Sequence, residues 1–368
     1  MHKLRVLCVA NKAFPDGDHR LACPQLSKVC SITYALPSKP DVLDENCYVR
    51  MGFSEGLHIS IIYHFIALLV YLVRNRRRLD FVHYCSTNLI LLGPLLSKLA
   101  GLPSIITVTG FGRTFSSHKL RFRLLRPLYM LLMGISMRCA SRVLFQNRGD
   151  LEWLATRFPW ASDKFRYVGS AVSMPVTRHK SFSASRLRVL LVARLLPDKG
   201  IEDFLQVADA LHQKEFEFVL VGPASRGFDE LAARVKDYHL RGVIDYKGEL
   251  DPVATLEEFA QAHVFYFPSY GEGMARVMLE AGFARVCPIA YDIPANRDLV
   301  VDGGGFLLNS GSVKQVISIL EDLAGDRKLL ERNAIAYQDH IVEHYDIQTF
   351  SQRMDNILLE LAGEIGIW

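Results

Sequence analysis

No C-x-x-C pair occurs in the 368 residues. The seven cysteines (Cys8, Cys23, Cys30, Cys47, Cys85, Cys139, Cys287) are odd in number and scattered. That pattern excludes a disulfide framework or a zinc ribbon and fits a reducing, cytoplasmic compartment. Zinc-finger spacing and an aromatic-rich RNA-binding signature are missing too, so nucleic acid is not an expected partner. Low-complexity tracts and repeats of solenoid length are absent. The first apolar run, Leu4–Ala10, is too short for a signal-peptide core and reads as a strand. Charged residues make up only 22% and hydrophobic ones 50%, a balance that excludes a disordered chain. At roughly 150 residues per domain, the length predicts two domains.

Acidic residues are scarce in the first half. Residues 1–180 carry 25 Lys/Arg against 10 Asp/Glu, and residues 181–368 carry 18 against 29, so a net +4 conceals two halves of opposite sign. The basic half is suited to an anionic surface, for which a phospholipid headgroup layer is the better candidate. Two segments in that half bear on this. Leu57–Val73 is almost wholly apolar and is followed by Arg74, Arg76, Arg77 and Arg78. Its length is at the lower limit for a spanning helix, and His58 and His64 inside it count against insertion. It reads as a buried or half-buried helix, with a transmembrane span and an interfacial helix as the alternatives. In the stretch 118–142, Lys119, Arg121, Arg123 and Arg126 flank Leu124, Leu125, Leu128 and Leu131, a pattern that suits a surface-lying helix or a solvated face over a core stripe.

Strand and helix signals alternate along the whole chain. Short apolar runs at Leu4–Ala10, Ser31–Leu36, Phe81–Tyr84, Ser104–Val108 and Arg142–Phe145 read as strands of a first domain, 1–172. Leu187–Val192, Glu217–Val221, Val243–Tyr246, Val264–Phe267 and Val286–Ala290 read as strands of a second, 186–345. The polar stretch 173–185 reads as the linker, and 346–368 as a terminal helix. Alternating βα units predict an α/β chain of two doubly wound, Rossmann-like domains with parallel sheets, whose ligands bind at the carboxyl ends of the strands.

Two motifs fall at such ends. In V-A-R-L-L-P-D-K-G, 192–200, a strand ends and Arg194 and Lys199 precede a helix start, an arrangement that can hold a diphosphate. Taken alone, the same two cations could be solvated. In P-S-Y-G-E-G-M-A-R-V-M-L-E-A, 268–281, Glu272 precedes a helix N-terminus and Glu280 lies within the helix. Glu272 with the amides of Gly273, Met274 and Ala275 could grip polyol hydroxyls and a phosphate. Glu280 could accept from a vicinal diol such as a ribose. A helix cap and a structural anion are the alternatives. Gly110-Phe111-Gly112 begins a dinucleotide fingerprint, but residue 115 is Phe and the later acidic residue is absent, so a dehydrogenase is not indicated.

Together the two motifs resemble those of retaining glycosyltransferases of family 4, which have the GT-B fold. That family's Arg-x4-Lys pair matches Arg194 and Lys199, and its Glu-x7-Glu motif matches Glu272 and Glu280. The likeness continues through 219–223, 246–250 and 282–294, and covers most of 80–345. Segments 106–112 and 140–147 resemble the branch that extends undecaprenyl-diphosphate-linked glycans in O-antigen, capsule or glycoprotein assembly. The resemblance implies transfer from a nucleotide sugar, a UDP-hexose or UDP-N-acetylhexosamine, with retention of configuration and no metal or other cofactor. Arg194 and Lys199 would neutralise the departing diphosphate, Glu272 would hold the sugar, Glu280 the ribose, and Gly222 with Gly248, Glu249 and Leu250 would border the base.

The implied partners are the nucleotide sugar, a lipid-linked saccharide acceptor and an anionic membrane surface, with the chain peripheral on the inner face. Departures from the family pattern are Thr109 where many members have His, Ala275 where Gly is frequent, and a first loop reduced to 15–19. Asp16, His19, Thr109, Gly110, Gly112 and Arg276 are candidates for the acceptor side or cleft loops. A nucleotide-sugar 2-epimerase, a non-catalytic GT-B subunit and a membrane-associated binding module are the alternatives.

Overall fold

In the computed structural model, residues 3–10, 29–36, 48–50, 60–111, 120–172, 174–177 and 179–367 are described. They form two compact units, Met1–Ala171 with Ile347–Trp368, and Val172–Asp346.

The first unit is built on a seven-stranded sheet of order β3-β2-β1-β4-β5-β6-β7. Its strands are β1 (Leu4–Val9), β2 (Cys30–Leu36), β3 (Tyr48–Arg50), β4 (Phe81–Tyr84), β5 (Ser104–Val108), β6 (Arg142–Phe145) and β7 (Phe165–Tyr167). Every pairing in it is parallel. Both faces must therefore be covered, which is why β5 and β6 are mostly apolar and buried at every position. One face packs against the helices Ser60–Asn75, Thr87–Leu99 and Leu120–Cys139, through Leu68, Leu72, Ile90, Met133 and Met137. The other packs against the terminal helix Ile347–Glu364, whose Phe350, Ile357, Leu358 and Leu361 meet Leu4, Phe81, Ile105 and Leu144. Arg142, only 8% exposed in its side chain, fixes that helix through Glu360 and Glu364, and Arg166 also binds Glu360.

The second unit holds a six-stranded parallel sheet of order β10-β9-β8-β11-β12-β13. Its strands are β8 (Leu187–Val192), β9 (Phe216–Val221), β10 (Asp245–Gly248), β11 (Val264–Phe267), β12 (Cys287–Tyr291) and β13 (Phe306–Leu308). A single core of apolar side chains from both sheet faces runs through it, including Phe204, Phe218, Phe265, Leu279 and Tyr337. The stretch 173–185 reads in the sequence as a linker, yet its described residues are fastened to this unit. Lys180 Nζ donates to the carbonyls of Phe259 at 3.0 Å and Ala262 at 2.6 Å, Thr177 N–H donates to Phe283 O, and Phe182 is buried. Polar composition there reflects hydrogen bonding to helix ends, where a lysine satisfies terminal carbonyls. Among the described residues, no helix is long and apolar enough to cross a membrane.

Candidate active site

In the second sheet the chain runs outward in one direction from β8 through β9 to β10, and in the other from β11 through β12 to β13. β8 and β11 are neighbours, paired Val264 to Val189 and Phe265 to Leu190. The loops that leave their carboxyl ends therefore diverge, which opens the crevice where doubly wound sheets hold ligands. Arg194 and Lys199 lie on the loop after β8, and Glu272 lies on the loop after β11.

Two glycines let these loops close up. Gly200 has φ 67°, and a Cβ there would sit 2.1 Å from the Pro268 carbonyl oxygen. Gly222, at the end of β9, has φ 143°, and a Cβ there would sit 2.0 Å from Ala193 O. Only glycine allows backbone to approach that closely. Gly222 N–H in turn donates to Gly248 O at 2.7 Å, which joins the loop after β9 to the end of β10.

At the crevice Lys199 Nζ meets Glu272 Oε1 at 2.5 Å, with side-chain exposures of 14% and 18%. Ser269 Oγ donates to the same carboxylate oxygen at 3.0 Å. The backbone holds the two loops in register: Tyr270 N–H donates to Asp198 O at 2.9 Å. Behind them the Asp203 carboxylate accepts from Tyr270 Oη at 2.7 Å and Tyr291 Oη at 2.5 Å. Burial first, and Asp203 second, push the Tyr270 hydroxyl up to about 12, so it stays a donor. Arg194 is exposed and makes no ion pair among the described residues, which leaves its fork available to an anion.

The helix Arg276–Phe283 begins directly after this loop, with Ala275 buried at its N-cap position and Gly273 and Met274 half-buried before it. On it, Arg276 Nε lies 3.0 Å from Glu280 Oε1. Burial raises the Glu280 carboxyl above its ordinary range, and Arg276 opposes that rise. Glu249 is exposed and Leu250 half-buried on the loop after β10. Thus the strand ends of β10, β9, β8 and β11 bring Leu250, Glu249, Gly222, Arg194, Lys199, Glu272 and Glu280 to one edge of one sheet.

In the first unit, Thr109 and Gly110 follow β5, with Gly110 at φ 109°. Arg121, Arg123 and Arg126 belong to the helix Leu120–Cys139, where Arg123 is exposed and Arg126 half-buried. Asp16, His19, Gly112 and Lys119 lie outside the described residues. Ser269, Tyr270, Asp203 and Tyr291 went unread in the sequence. Ser269 and Tyr270 stand inside the quoted motif, but their partners become visible only once β8 and β11 are adjacent.

Among the described residues one cluster has metal-ligand geometry, Cys8, His83 and Cys85, with ligating atoms within 4.8 Å of one another. It belongs to the first unit. Burial and the Cys85 thiol at 3.6 Å push the Cys8 thiol well above its usual range, away from the thiolate a metal needs, and His83 Nε2 is bonded to Thr107 Oγ1 at 2.7 Å.

Residues 177–339 match the family model described as glycosyl transferases group 1, so the matched domain coincides with the second unit and its crevice. The chain is 25% identical over 344 residues to the Escherichia coli UDP-Gal:alpha-D-GlcNAc-diphosphoundecaprenol alpha-1,3-galactosyltransferase, covering 88% of this chain and 86% of that protein. Sucrose-phosphate synthase of Thermosynechococcus elongatus superposes with a TM-score of 0.81 over 98% of this chain and 100% of that one, at 14% identity. Anabaena HepE in complex with UDP and glucose gives 0.73 over 97% and 100%, at 17% identity. The fold is GT-B, that of glycosyltransferases.

Proposed function

We propose that the chain is a retaining glycosyltransferase that moves a sugar from a UDP-sugar to a lipid-linked glycan in bacterial surface polysaccharide assembly. The observation that carries this reading is the Lys199–Glu272 pair at the switch point of the second sheet, with Arg194 exposed on the same loop as Lys199. Cations and a carboxylate on the loops of one crevice suit a ligand that carries both phosphates and hydroxyls. On donor binding, the diphosphate takes the Lys199 ammonium and the Arg194 fork, while sugar hydroxyls donate to Glu272 in place of Lys199. Glu280 accepts the ribose hydroxyls, and Gly222, Glu249 and Leu250 border the base.

The bond from the anomeric carbon to the diphosphate oxygen then breaks, and Arg194 and Lys199 compensate the charge that accumulates on the departing nucleotide. The acceptor oxygen bonds to the same face of the sugar, and its proton passes to the departing diphosphate oxygen. Charge compensation by side chains gives this reading its metal independence. UDP as the nucleotide is supported by its presence in HepE and in the name of the E. coli relative, whose acceptor is a diphosphoundecaprenol sugar. In this reading the chain is cytoplasmic and peripheral to the inner face of the membrane, where such an acceptor would be met.

The test is transfer from radiolabelled UDP-sugars to an undecaprenyl-diphosphate-linked monosaccharide, with and without a chelator. Label in the lipid fraction, insensitive to the chelator, is the expected result. Epimerised nucleotide sugar without lipid label would identify an epimerase instead. Absence of both, with no nucleotide binding, would leave a non-catalytic subunit or a binding module.

A further inference from the structure

We infer that Ser269 is a positioning residue of the donor site, whose hydroxyl fixes the Glu272 carboxylate when Lys199 leaves it for the diphosphate. The inference rests on the proposed function and adds to it the group that holds the sugar-binding carboxylate in place. In the structure one oxygen, Glu272 Oε1, receives two donors: Lys199 Nζ at 2.5 Å and Ser269 Oγ at 3.0 Å. The two donors differ in freedom. Lysine ends a flexible four-carbon stem, and its ammonium can turn from a carboxylate to a phosphate by rotating its own bonds. Serine has a single torsion before its oxygen, so its hydroxyl stays where the backbone puts it.

That backbone is held on both sides. Before Ser269, the Pro268 carbonyl oxygen lies so close to Gly200 that a Cβ there would be 2.1 Å from it. After Ser269, Tyr270 N–H donates to Asp198 O at 2.9 Å. Ser269 therefore sits between two fastenings to the loop that carries Lys199, and it is 0% exposed. A hydroxyl so buried has no bulk water to bond, so its proton must go to a protein acceptor. Asp198 O at 3.3 Å and Gly271 O at 3.4 Å are the other acceptors near it. Both are neutral and farther away, so the one hydroxyl proton goes to the carboxylate. Glu272, by contrast, lies between Gly271 and Gly273, where the chain has little stiffness of its own. Once Lys199 has turned to the diphosphate, the Ser269 hydroxyl keeps one carboxylate oxygen in place, and the remaining lone pairs face the sugar hydroxyls.

The test is calorimetric titration of the whole chain, wild type and Ser269→Ala, with UDP and with UDP-glucose, UDP-galactose and their N-acetylhexosamine counterparts. The UDP-sugar that wild type binds most tightly is the one followed. UDP carries the diphosphate without the sugar, so its affinity should stay within about twofold of wild type in Ser269→Ala. Affinity for the UDP-sugar should fall about tenfold, the loss expected of one hydrogen bond to a charged group. Adding Ser269→Ala to Glu272→Ala should change UDP-sugar affinity by less than about twofold, because the hydroxyl acts only through the carboxylate. Equal losses for UDP and UDP-sugar would make Ser269 a scaffold residue and overturn the inference. So would an unchanged UDP-sugar affinity in Ser269→Ala, or a loss as large in the Glu272→Ala background as in wild type. Each of these would leave the proposed function standing. A wild type that binds neither UDP nor any of the four UDP-sugars would remove the proposed function, and the inference with it.

Discussion

Lys199 Nζ sits 2.5 Å from Glu272 Oε1, although 72 residues separate the two in the chain. Each neutralises the other in a site where both side chains are mostly buried, so neither can be removed without leaving a desolvated partner charge. In the proposed reading, donor binding exchanges this internal pair for two external ones. The Lys199→Ala and Glu272→Gln variants should each lower kcat/KM by about a hundredfold or more, because each loses contacts that strengthen as the diphosphate departs. Steady-state kinetics at one fixed acceptor concentration check this, with circular dichroism as the control for folding. Wild-type-like turnover in both variants would remove the pair from the chemistry.

Tyr270 couples the loop that bears Glu272 to Asp203 on the helix Ile201–Leu211. Its ring is 45% exposed, so Tyr270→Phe removes a hydroxyl without opening a cavity. Asp203 keeps its other donor, Tyr291, at 2.5 Å. The expected result is a donor KM raised roughly three- to tenfold, with the melting temperature close to wild type, since one neutral-to-charged hydrogen bond is worth about 1.5–3 kcal/mol and part of that is recovered by water. A fall in melting temperature with unchanged KM would make Tyr270 a stability element alone.

Glycines at positive φ differ in what surrounds them, and substitution separates the two costs. Gly242 has φ 71° with nothing within 4 Å of an added Cβ, so Gly242→Ala should cost only the backbone strain, about 1–2 kcal/mol. At Gly222 the Cβ would also meet Ala193 O at 2.0 Å. Gly222→Ala must displace the loop after β8, and its cost should exceed that of Gly242→Ala by about 2 kcal/mol or more. Urea midpoints of the two variants decide it. Donor affinity should fall only in Gly222→Ala, because that loop carries Arg194.

Much of the fold is legible in the sequence for a physical reason. Strands covered on both faces of a parallel sheet are short, mostly apolar runs, so Phe81–Tyr84, Ser104–Val108, Arg142–Phe145, Leu187–Val192 and Val264–Phe267 have the same limits in sequence and structure. Tyr48–Arg50, Phe165–Tyr167 and Phe306–Leu308 are three-residue strands at or next to the sheet edges, too short to show any period. The strand Asp245–Gly248 is offset from the apolar run because Val243 and Ile244 are buried just before it. For the site, Arg194, Lys199, Glu272 and Glu280 stand out as motif letters at strand ends. The tie between Lys199 and Glu272 requires β8 to lie beside β11, which no local pattern encodes. Asp203 looks like an ordinary charge in the first turn of a helix. Its role follows only from two tyrosines supplied by β12 and by the loop after β11.

Acid should weaken the second unit through His263. The ring is buried beside Lys180 and lies low in its titration, at about 4, with burial the larger cause. Its Nδ1 accepts the Arg188 N–H at 3.0 Å, a bond that protonation of that nitrogen destroys. The folded pKa is below the unfolded value of 6.5, so the unfolded chain binds more protons between pH 6.5 and 4. Stability is therefore fully present above pH 6.5 and declines as pH falls towards 4. Urea midpoints measured across that window should fall in wild type, and fall less steeply in His263→Gln. Parallel curves would mean that other groups govern the acid limit.

In the proposed reading, donor binding carries its own pH dependence through Glu280. The carboxyl is 13% exposed and raised by burial, and Arg276 Nε at 3.0 Å holds it down. A carboxylate that accepts two ribose hydroxyls must be ionised, and protonation turns one acceptor into a donor. A UDP-sugar has no diphosphate proton to exchange between pH 7 and 5, so any change of affinity there belongs to the protein. Affinity should fall as pH drops from 7 to 5, at a higher pH than an ordinary carboxylate near 4.5 would give. Arg276→Gln removes the opposing cation and should move the fall upward in pH while leaving affinity at pH 8 within about threefold of wild type. Calorimetric titration at each pH measures both. An affinity that is flat from pH 7 to 5 in wild type and variant alike would take Glu280 away from the ribose.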